Sequence, residues 1–429
     1  MISISGIKGA WNRFFFEPES PLPVAIYRCL TGLIMLANNL LVYPDLFNFY
    51  GQRGIVTPST AVNLSGGTGL NLFQFLPKSD GSLIFIFALS SLAAFTLAIG
   101  LWSRISALIV FLTFVSIDHR NPILLNSGDS FLRIGLFFLI FSNAGDAFSV
   151  DRLIRLARGK EFGPLPMKAQ WAMRLIQLQL AFVYLYAFAW KAMGPMWLAG
   201  TAVYYTARLQ EFWRFPVPYI FEHMWTIKLW AWSTLVIEFS LGVLIWVKEL
   251  RYVVLLGGVL LHAGIDYSMN IPLFGFIMVS AYITFVDARD LHLVWERVVN
   301  GFKARSGKLA PVPVFYDGKC SFCVRSIRIV KSFDVLHRFV YHDMHSPKVQ
   351  AEYKDLDLNR GLKEMLVKTN KGWLGGFSAF RYMAGSFPLF WLLVPFLHLP
   401  FMRTAGDKVY NRIAERRYCI LEPSGHGSI

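Results

Sequence analysis

Residues 82–102, SLIFIFALSSLAAFTLAIGLW, form an uncharged apolar run. An α-helix needs roughly 20 such residues to cross a lipid bilayer, so this run predicts a membrane-spanning helix. Comparable apolar runs lie at 22–43, 104–120, 129–146, 170–194, 226–247, 252–270 and 272–288. The sequence therefore predicts a mainly α protein, a polytopic transmembrane helix bundle of about eight spans.

The composition agrees with a membrane protein. Apolar residues make up 55% of the chain and charged residues only 16%, whereas a water-soluble protein needs more charge to cover its surface. The same figures exclude disordered, collagen-like and disulfide-scaffold proteins. The net charge is +15, which in a membrane chain indicates cytoplasmic loops beside anionic lipid. We therefore expect the lipid bilayer as a partner, and no nucleic acid.

The loop charges predict the orientation. With the N-terminus inside, the inner segments hold about twice as many Lys and Arg residues as the outer segments. We therefore expect a multi-pass integral membrane protein, of the bacterial inner-membrane type, with both termini in the cytoplasm.

The long apolar runs end near residue 300, and polar and apolar residues alternate in the last part of the chain. We divide it into a bundle at 1–295, a small basic linker at 296–311 and an α/β domain at 312–429. In the last part, strands are predicted at 312–316 and 338–342, a helix at 321–333 and a hairpin at 365–374. Three prolines interrupt the apolar segment 387–402. This segment either docks on the membrane face or the bundle, or forms a ninth span.

The motif YDGKCSFC, residues 316–323, is the strongest chemical signal. Cys320 follows a turn and begins a helix, whose positive N-terminus stabilises a thiolate over a thiol. Lys319 adds a nearby cation. Cys323, one turn further, is placed to resolve a mixed disulfide. The alternatives are inert thiols or a structural zinc site completed by other ligands, for which His342 and His345 are candidates; we assign no metal.

Residues 312–420 resemble the DCC family of thiol-disulfide oxidoreductases. The matching residues are Tyr316, Asp317, Gly318, Cys320, Cys323, Gly376, Phe377, Ala379, Tyr410, Ala414 and Arg417. The resemblance implies a thioredoxin-like α/β fold, an oxidoreductase activity at the two cysteines, and a thiol reductant or a peptide substrate as partner. It also makes Asp317 a candidate substrate-binding residue. No proline precedes the strand at Met365, so the cis-proline clamp of thioredoxin is missing.

Several ionisable residues fall within the predicted spans, where they usually mark a function. Lys191 lies in a wall formed by Tyr184, Tyr186, Trp190 and Trp197. Burial there would penalise its ammonium form and make it a proton acceptor; the alternative is a lysine that reaches to the membrane surface.

Two pairs at helical spacing are also candidates. His262 and Asp266 could form a proton relay, half of a metal site or a helix-packing hydrogen bond. Asp129 and Arg133 have the spacing of an intrahelical ion pair.

Residues 20–290 resemble the HTTM domain, the transmembrane part of vitamin K-dependent gamma-carboxylases. The matching stretches are 126–151, 184–203 and 261–279. The resemblance implies that Lys191 is a base, with Trp197 and His262 at the site, and it suggests a quinone cofactor of the vitamin K or menaquinone type. The carboxylases carry a histidine where this chain has Gly128 beside Asp129, so Asp129 is a further candidate substrate-binding residue.

The carboxylases also have a large β-rich domain that this chain lacks, so gamma-carboxylation is not expected. We predict a membrane redox protein that couples the cytoplasmic dithiol to a quinone-like or other lipid-soluble substrate. A mobile carrier, or Cys29, would connect the two sites. The alternative for Cys29 is that it is only a small buried residue. A second hypothesis is a maturation or transport partner for an exported peptide, with the dithiol as a redox sensor.

Overall fold

The computed structural model describes residues 4–64, 69–161, 164–216, 219–305, 311–334, 336, 338–387, 390–391 and 393–419. The chain divides into two compact units. The first comprises Met1–Arg152 with Gly163–Ala288, and the second comprises Leu153–Phe162 with Arg289–Ile429. Each unit is described by itself below.

Helices dominate the first 305 residues. They are α1 Ile4–Phe16, α2 Leu22–Val42, α3 Leu46–Tyr50, α4 Pro58–Leu64, α5 Asp80–Ile99, α6 Ser103–Arg120, α7 Ser127–Phe141, α8 Val150–Ala157, α9 Trp171–Ala192, α10 Pro195–Leu198, α11 Ala202–Thr206, α12 Met224–Gly242, α13 Lys248–Ser268, α14 Phe274–Tyr282 and α15 Ala288–Arg305. Two short strands, β1 Pro18–Glu19 and β2 Lys168–Ala169, pair antiparallel.

Four helical segments are long and apolar enough to cross a membrane, among the residues that the structure describes. They are Leu22–Tyr50, Asp80–Ile99, Trp171–Ala192 and Lys248–Ser268. The prediction of eight spans is therefore met only in part, although each of the eight apolar runs contains a helix. The 15 residues of α7 extend about 22 Å, less than the roughly 30 Å of a hydrocarbon core. The 9 residues of α14 are shorter still, and α6 and α12 carry Asp118 and Glu238.

The outer surface of these helices is apolar. Leu40, Phe182 and Val253 are 66%, 64% and 71% exposed, respectively. An apolar exterior of this kind suits lipid better than water. The interior is a continuous core in which α2 packs on α5, and α9 packs on α7 and α12.

A charged residue lies at the centre of this core. Arg28 in α2 is completely buried, and its guanidinium donates to the carbonyl oxygens of Leu97 at 2.5 Å and Phe148 at 2.6 Å. The Leu97 carbonyl belongs to the last turn of α5, where carbonyl groups lack helical partners. Arg28 therefore satisfies the end of one helix from inside another.

The second unit is built on a four-stranded mixed sheet. Its strands are β3 Val312–Tyr316, β4 Phe339–Asp343, β5 Leu366–Thr369 and β6 Gly372–Gly375, in the order β4-β3-β5-β6. β3 pairs parallel with β4 and antiparallel with β5, and β5 and β6 form the hairpin. The helices are α16 Ser321–Phe333, α17 Pro347–Glu352, α18 Leu358–Gly361, α19 Gly376–Ala384, α20 Val394–Leu397 and α21 Pro400–Cys419.

These elements confirm the strands, the hairpin and the helix predicted after residue 311, with shifts of about one residue at the ends. Residues 296–305 of the predicted linker form part of α15. Residues 306–310 lie outside the described part of the chain.

The apolar segment 387–402 does not form one continuous helix in its described part, 387, 390–391 and 393–402. Phe387 is 1% exposed and packs with Phe333 and Phe390 in the core of the second unit. The segment then forms α20 and the start of α21. Phe396 and Phe401 remain exposed, so docking on a membrane face stays a prediction.

Gly100, the residue that ends α5, provides a test of the Arg28 interaction. Its φ of 70° is left-handed, and a Cβ there would collide with the Arg28 guanidinium. We expect Gly100→Ala to destabilise the protein by at least about 1–2 kcal/mol, measured by thermal unfolding in detergent. The matched control is Gly301→Ala in α15, where a Cβ meets nothing within 4 Å. Alanine should be neutral or stabilising there, and equal effects of the two changes would contradict the assignment.

Candidate active site

The turn before the cysteine pair is fixed by two carboxylates. The Gly318 N–H donates to Asp343 Oδ1 at 3.1 Å, and the Lys319 N–H donates to Asp317 Oδ1 at 3.0 Å. A Cβ at Gly318 would collide with the Asp343 carboxylate. Glycine therefore lets the chain pass close to β4 before it enters α16.

Cys320 is the N-cap residue of α16. Its Sγ accepts a hydrogen bond from the Cys323 N–H at 3.2 Å and one from the Cys323 thiol at 2.8 Å. No disulfide joins these two cysteines. The two donors and the helix N-terminus stabilise negative charge on Cys320 Sγ. The cysteine thus lies where the sequence predicts it, and its role as the attacking group stays a prediction.

The two sulfurs differ in accessibility. Cys320 is only 6% exposed, whereas Cys323 is partly exposed. The sulfur that accepts the two hydrogen bonds is therefore the less accessible one, which the sequence did not indicate.

A carboxylate accompanies the thiols. The Asp317 carboxylate and the two sulfurs lie within 4.8 Å of one another, and His345 Nε2 contacts Asp317 Oδ1 at 2.8 Å. At this distance one bridging water would allow the carboxylate to exchange a proton with a thiol. His342 lies elsewhere and stacks on Phe315. The spacing also permits a metal ion, but a tetrahedral zinc site would need a further ligand.

A cavity of about 320 Å³ opens beside Cys323. Its lining comes from the end of β3, from α16, α18, α19 and α21, and from the residues just before β5. It consists of Tyr316, Asp317, Phe322, Cys323, Ser326, Ile327, Val330, Gly361, Glu364, Met365, Phe380, Tyr410, Ile413 and Ala414. Burial, with a smaller contribution from Asp343, raises the pKa of the Tyr316 hydroxyl, so this group stays protonated and uncharged at neutral pH. The cavity therefore offers an apolar wall with few polar groups.

In the helical bundle, Lys191 is not a free base. Its ammonium forms an ion pair with the buried carboxylate of Glu238 in α12 and lies 5.3 Å from the centre of the Trp197 ring. Tyr186 and Trp190, part of the predicted aromatic wall, are 67% and 59% exposed instead. They point away because only part of a helix can face the bundle interior.

His262 belongs to a buried cluster. Its Nε2 contacts the Tyr184 hydroxyl at 2.6 Å, and this hydroxyl contacts that of Tyr282 at 2.7 Å. His262 Nδ1 and Glu238 Oε2 are buried and have no hydrogen-bond partner among the described residues. Buried polar atoms are rarely left unpaired, so these two atoms mark a place for a ligand or water.

The predicted pairs have other partners. Asp266 bonds Arg214 at 2.7 Å, so it does not join His262 in a relay. Asp129 accepts from the Asn126 N–H at 2.9 Å and forms a capping box at the start of α7. The nearest carboxylate of Arg133 is Asp118, at 3.7 Å, which corrects the predicted pair of Arg133 with Asp129. A first-turn carboxylate is drawn to free backbone N–H groups rather than to the next turn.

Sequence reasoning gave no site role to Glu238 or Tyr282, and it named His345 only as a possible zinc ligand and Tyr410 only as a match to the DCC family. The intramembrane carboxylate of Glu238 was a usable signal, since a buried charge needs a partner. Tyr282 comes from a distant segment and carries no local pattern. Cys29, the predicted alternative carrier, accepts from Arg28 Nη2 at 3.1 Å.

Tyr410 permits a direct test of how α21 is held. Its hydroxyl accepts from the Met365 N–H at 3.0 Å. We expect Tyr410→Phe to speed hydrogen exchange of the Met365 amide by about fivefold, since a hydrogen bond contributes about 1 kcal/mol. Tyr382→Phe in α19 is the control and should leave this amide unchanged. Unchanged exchange in both variants would show that the Tyr410 bond does not protect Met365.

Comparison with protein families agrees with both parts of the chain. Comparison with curated proteins and with solved structures found no match. The model of the DCC1-like thiol-disulfide oxidoreductase matches residues 314–422, and that of the HTTM domain matches residues 16–289. These two domains indicate a membrane redox protein, and both family resemblances seen in the sequence are confirmed. Since the HTTM match covers more than half of the chain, the protein belongs to the HTTM-domain family, with a DCC1-like domain at its C-terminal end.

Proposed function

We propose that the Cys320–Cys323 pair carries out thiol–disulfide exchange. The observation that carries this proposal is the 2.8 Å separation of the two sulfurs at the start of α16, beside the Asp317 carboxylate. One thiolate attacks a substrate disulfide, releases one thiol and forms a mixed disulfide. The second cysteine then attacks the mixed disulfide and releases the other thiol. The protein loses two electrons and gains one internal disulfide.

The same proposal includes a thioredoxin-like fold for the dithiol domain and a multi-pass topology for the bundle. The order β4-β3-β5-β6, with α16 between parallel β3 and β4, supports a thioredoxin-like fold for residues 312–429. The Lys and Arg distribution supports a multi-pass bundle with both termini in the cytoplasm. A cytoplasmic dithiol would be kept reduced by the thiol pool of that compartment.

The exchange reaction is tested by equilibrating the reduced full-length protein with glutathione buffers of rising oxidation state. We expect one internal disulfide, detected as the loss of two free thiols by alkylation and mass measurement. Cys320→Ser and Cys323→Ser should each abolish it.

Cys29→Ser is the matched control, because Cys29 lies in α2, outside the motif. It should leave the equilibrium unchanged. A disulfide that survives either of the motif substitutions would show that other thiols carry the reaction.

We further propose that the cluster in the bundle binds the polar head of a lipid-soluble substrate of quinone type. The unpaired buried atoms support this second function, since His262 Nδ1 can donate to a quinone carbonyl and Glu238 Oε2 can accept from a hydroxyl of the quinol. The Lys191 ammonium and the Tyr184 hydroxyl are donors that suit carbonyl oxygens. Trp197 lies against the Lys191 ammonium, and Asp129 and Asp266 are not needed in this site.

The two functions combine in one redox reaction. The dithiol gives two electrons and two protons to a quinone, and the products are a quinol and the Cys320–Cys323 disulfide. We propose a mobile carrier between the bundle site and the dithiol, and a thiol reductant to restore the dithiol. No step of this scheme adds a carboxyl group to glutamate.

Lys191 and Glu238 provide a test that separates binding from stability. Lys191→Met leaves a buried carboxylate unpaired, which costs about 3 kcal/mol, while Lys191→Met with Glu238→Gln removes both charges and should recover most of that loss. We expect both variants to bind menadione at least about tenfold more weakly, measured by fluorescence quenching in nanodiscs.

Lys248→Ala, at an exposed position at the start of α13, is the control and should bind menadione normally. Normal binding by the double variant would remove Lys191 and Glu238 from the site. If the wild-type protein neither binds menadione nor oxidises its dithiol with it, the alternative is favoured: a partner for the maturation or transport of an exported peptide, with the dithiol as sensor.

A further inference from the structure

The cavity beside Cys323 lies within the second unit and is separate from the bundle cluster. Cys323 is part of its lining, while Cys320 lies behind it with 6% of its surface exposed. We propose that this cavity is a substrate site that binds a small uncharged disulfide with an apolar body, and that the substrate reacts first with Cys323. The inference rests on the proposed dithiol exchange and adds the substrate class and the order of the two sulfurs.

The lining selects for an apolar body. Phe322, Phe380 and Ile413 lie around the opening from three different helices, and a volume of about 320 Å³ is in the range of small-molecule sites. The charged groups in its described lining, Asp317 and Glu364, are both acidic. An anionic disulfide such as oxidised glutathione is therefore disfavoured by like charge.

The backbone beside the cavity is closed to an extended peptide. The Met365 N–H donates to the Tyr410 hydroxyl at 3.0 Å, and the Met365 carbonyl accepts from the Gly376 N–H at 3.2 Å. A peptide strand binds such an edge through free main-chain groups, and Met365 has both of its groups occupied. A small molecule fits these constraints better than a protein segment.

The positions of the acid and base groups give the reaction sequence. The Cys323 thiol passes its proton to Cys320 Sγ, 2.8 Å away, and the resulting Cys323 thiolate attacks the nearer substrate sulfur. The substrate S–S bond breaks and one thiolate leaves. Cys320 then passes the proton through one bridging water to the Asp317 carboxylate, which lies within 4.8 Å, and attacks Cys323. The Cys320–Cys323 bond forms, the protein is oxidised by two electrons, and the second leaving sulfur takes the proton.

The experiment uses reduced full-length protein in detergent, with Cys29 and Cys419 replaced by serine. Release of the coloured leaving group is followed with neutral aromatic dithiodipyridine and with the dithiobis-nitrobenzoate dianion, each rate being divided by its rate with free mercaptoethanol. We expect a preference for the neutral probe of at least about tenfold. Equal normalised rates would overturn the proposal.

A cavity-filling variant tests the location. Ala414→Phe places a ring into the cavity and should remove the preference for the neutral probe. Ala405→Phe is the matched control: it lies on the exposed part of the same helix, and it should keep the preference. A preference that survives Ala414→Phe would place the site elsewhere.

Serine variants test the order of the sulfurs and do not depend on how Ala414→Phe folds. Cys320→Ser should still release one leaving group from dithiodipyridine, whereas Cys323→Ser should slow that release by at least about a hundredfold. The reverse pattern would make Cys320 the first nucleophile and overturn the assignment. If no disulfide reagent oxidises the wild-type dithiol, the proposed exchange itself fails, and this result is distinct from a loss of selectivity.

Discussion

The Asp343 carboxylate at the end of β4 holds the turn on which the dithiol depends. β3 and β4 run parallel, with Tyr316 opposite Asp343, so this carboxylate reaches the turn that leaves β3. It accepts the N–H groups of Gly318 and His345, and a side chain larger than hydrogen at Gly318 would displace it. The chain then enters α16 with Cys320 at the N-cap. A sheet contact thus sets the position of a sulfur relative to a helix dipole.

In the bundle the constraint is different: charged groups in an apolar core need partners. Arg28 is satisfied by carbonyl groups at the end of α5, and Lys191 by Glu238. The Arg28 contacts leave little room for chemistry, since backbone groups occupy its guanidinium on two sides. The Glu238 and His262 side chains bond other side chains instead, and buried atoms without partners among the described residues occur at both places, Arg28 Nε included. The kind of partner, backbone or side chain, therefore distinguishes the structural charge from the candidate binding site.

In the second unit, the C-terminal helix α21 forms part of the cavity beside the dithiol. It packs on α19, supplies Tyr410, Ile413 and Ala414 to the cavity, and engages the backbone at the start of β5. A surface that could pair with a peptide is thereby converted into the wall of an apolar pocket. Met365, which no proline precedes, has internal partners for both of its main-chain groups.

Local sequence patterns were sufficient for the helices, the strands from Val312 onward and the cysteine pair at a helix start, since hydrophobic period and turn chemistry involve neighbouring residues. They did not show where caps and charges end a helix, and four of the eight predicted spans meet the length and hydropathy of a crossing helix among the described residues. Local patterns could not identify partners from distant segments. Glu238 is 47 residues from Lys191, and Tyr282 is 98 residues from Tyr184. The greater exposure of Cys323 likewise results from packing of α16, α19 and α21, which no local spacing encodes. Contacts of this kind depend on how helices and strands assemble, and so they required the three-dimensional structure.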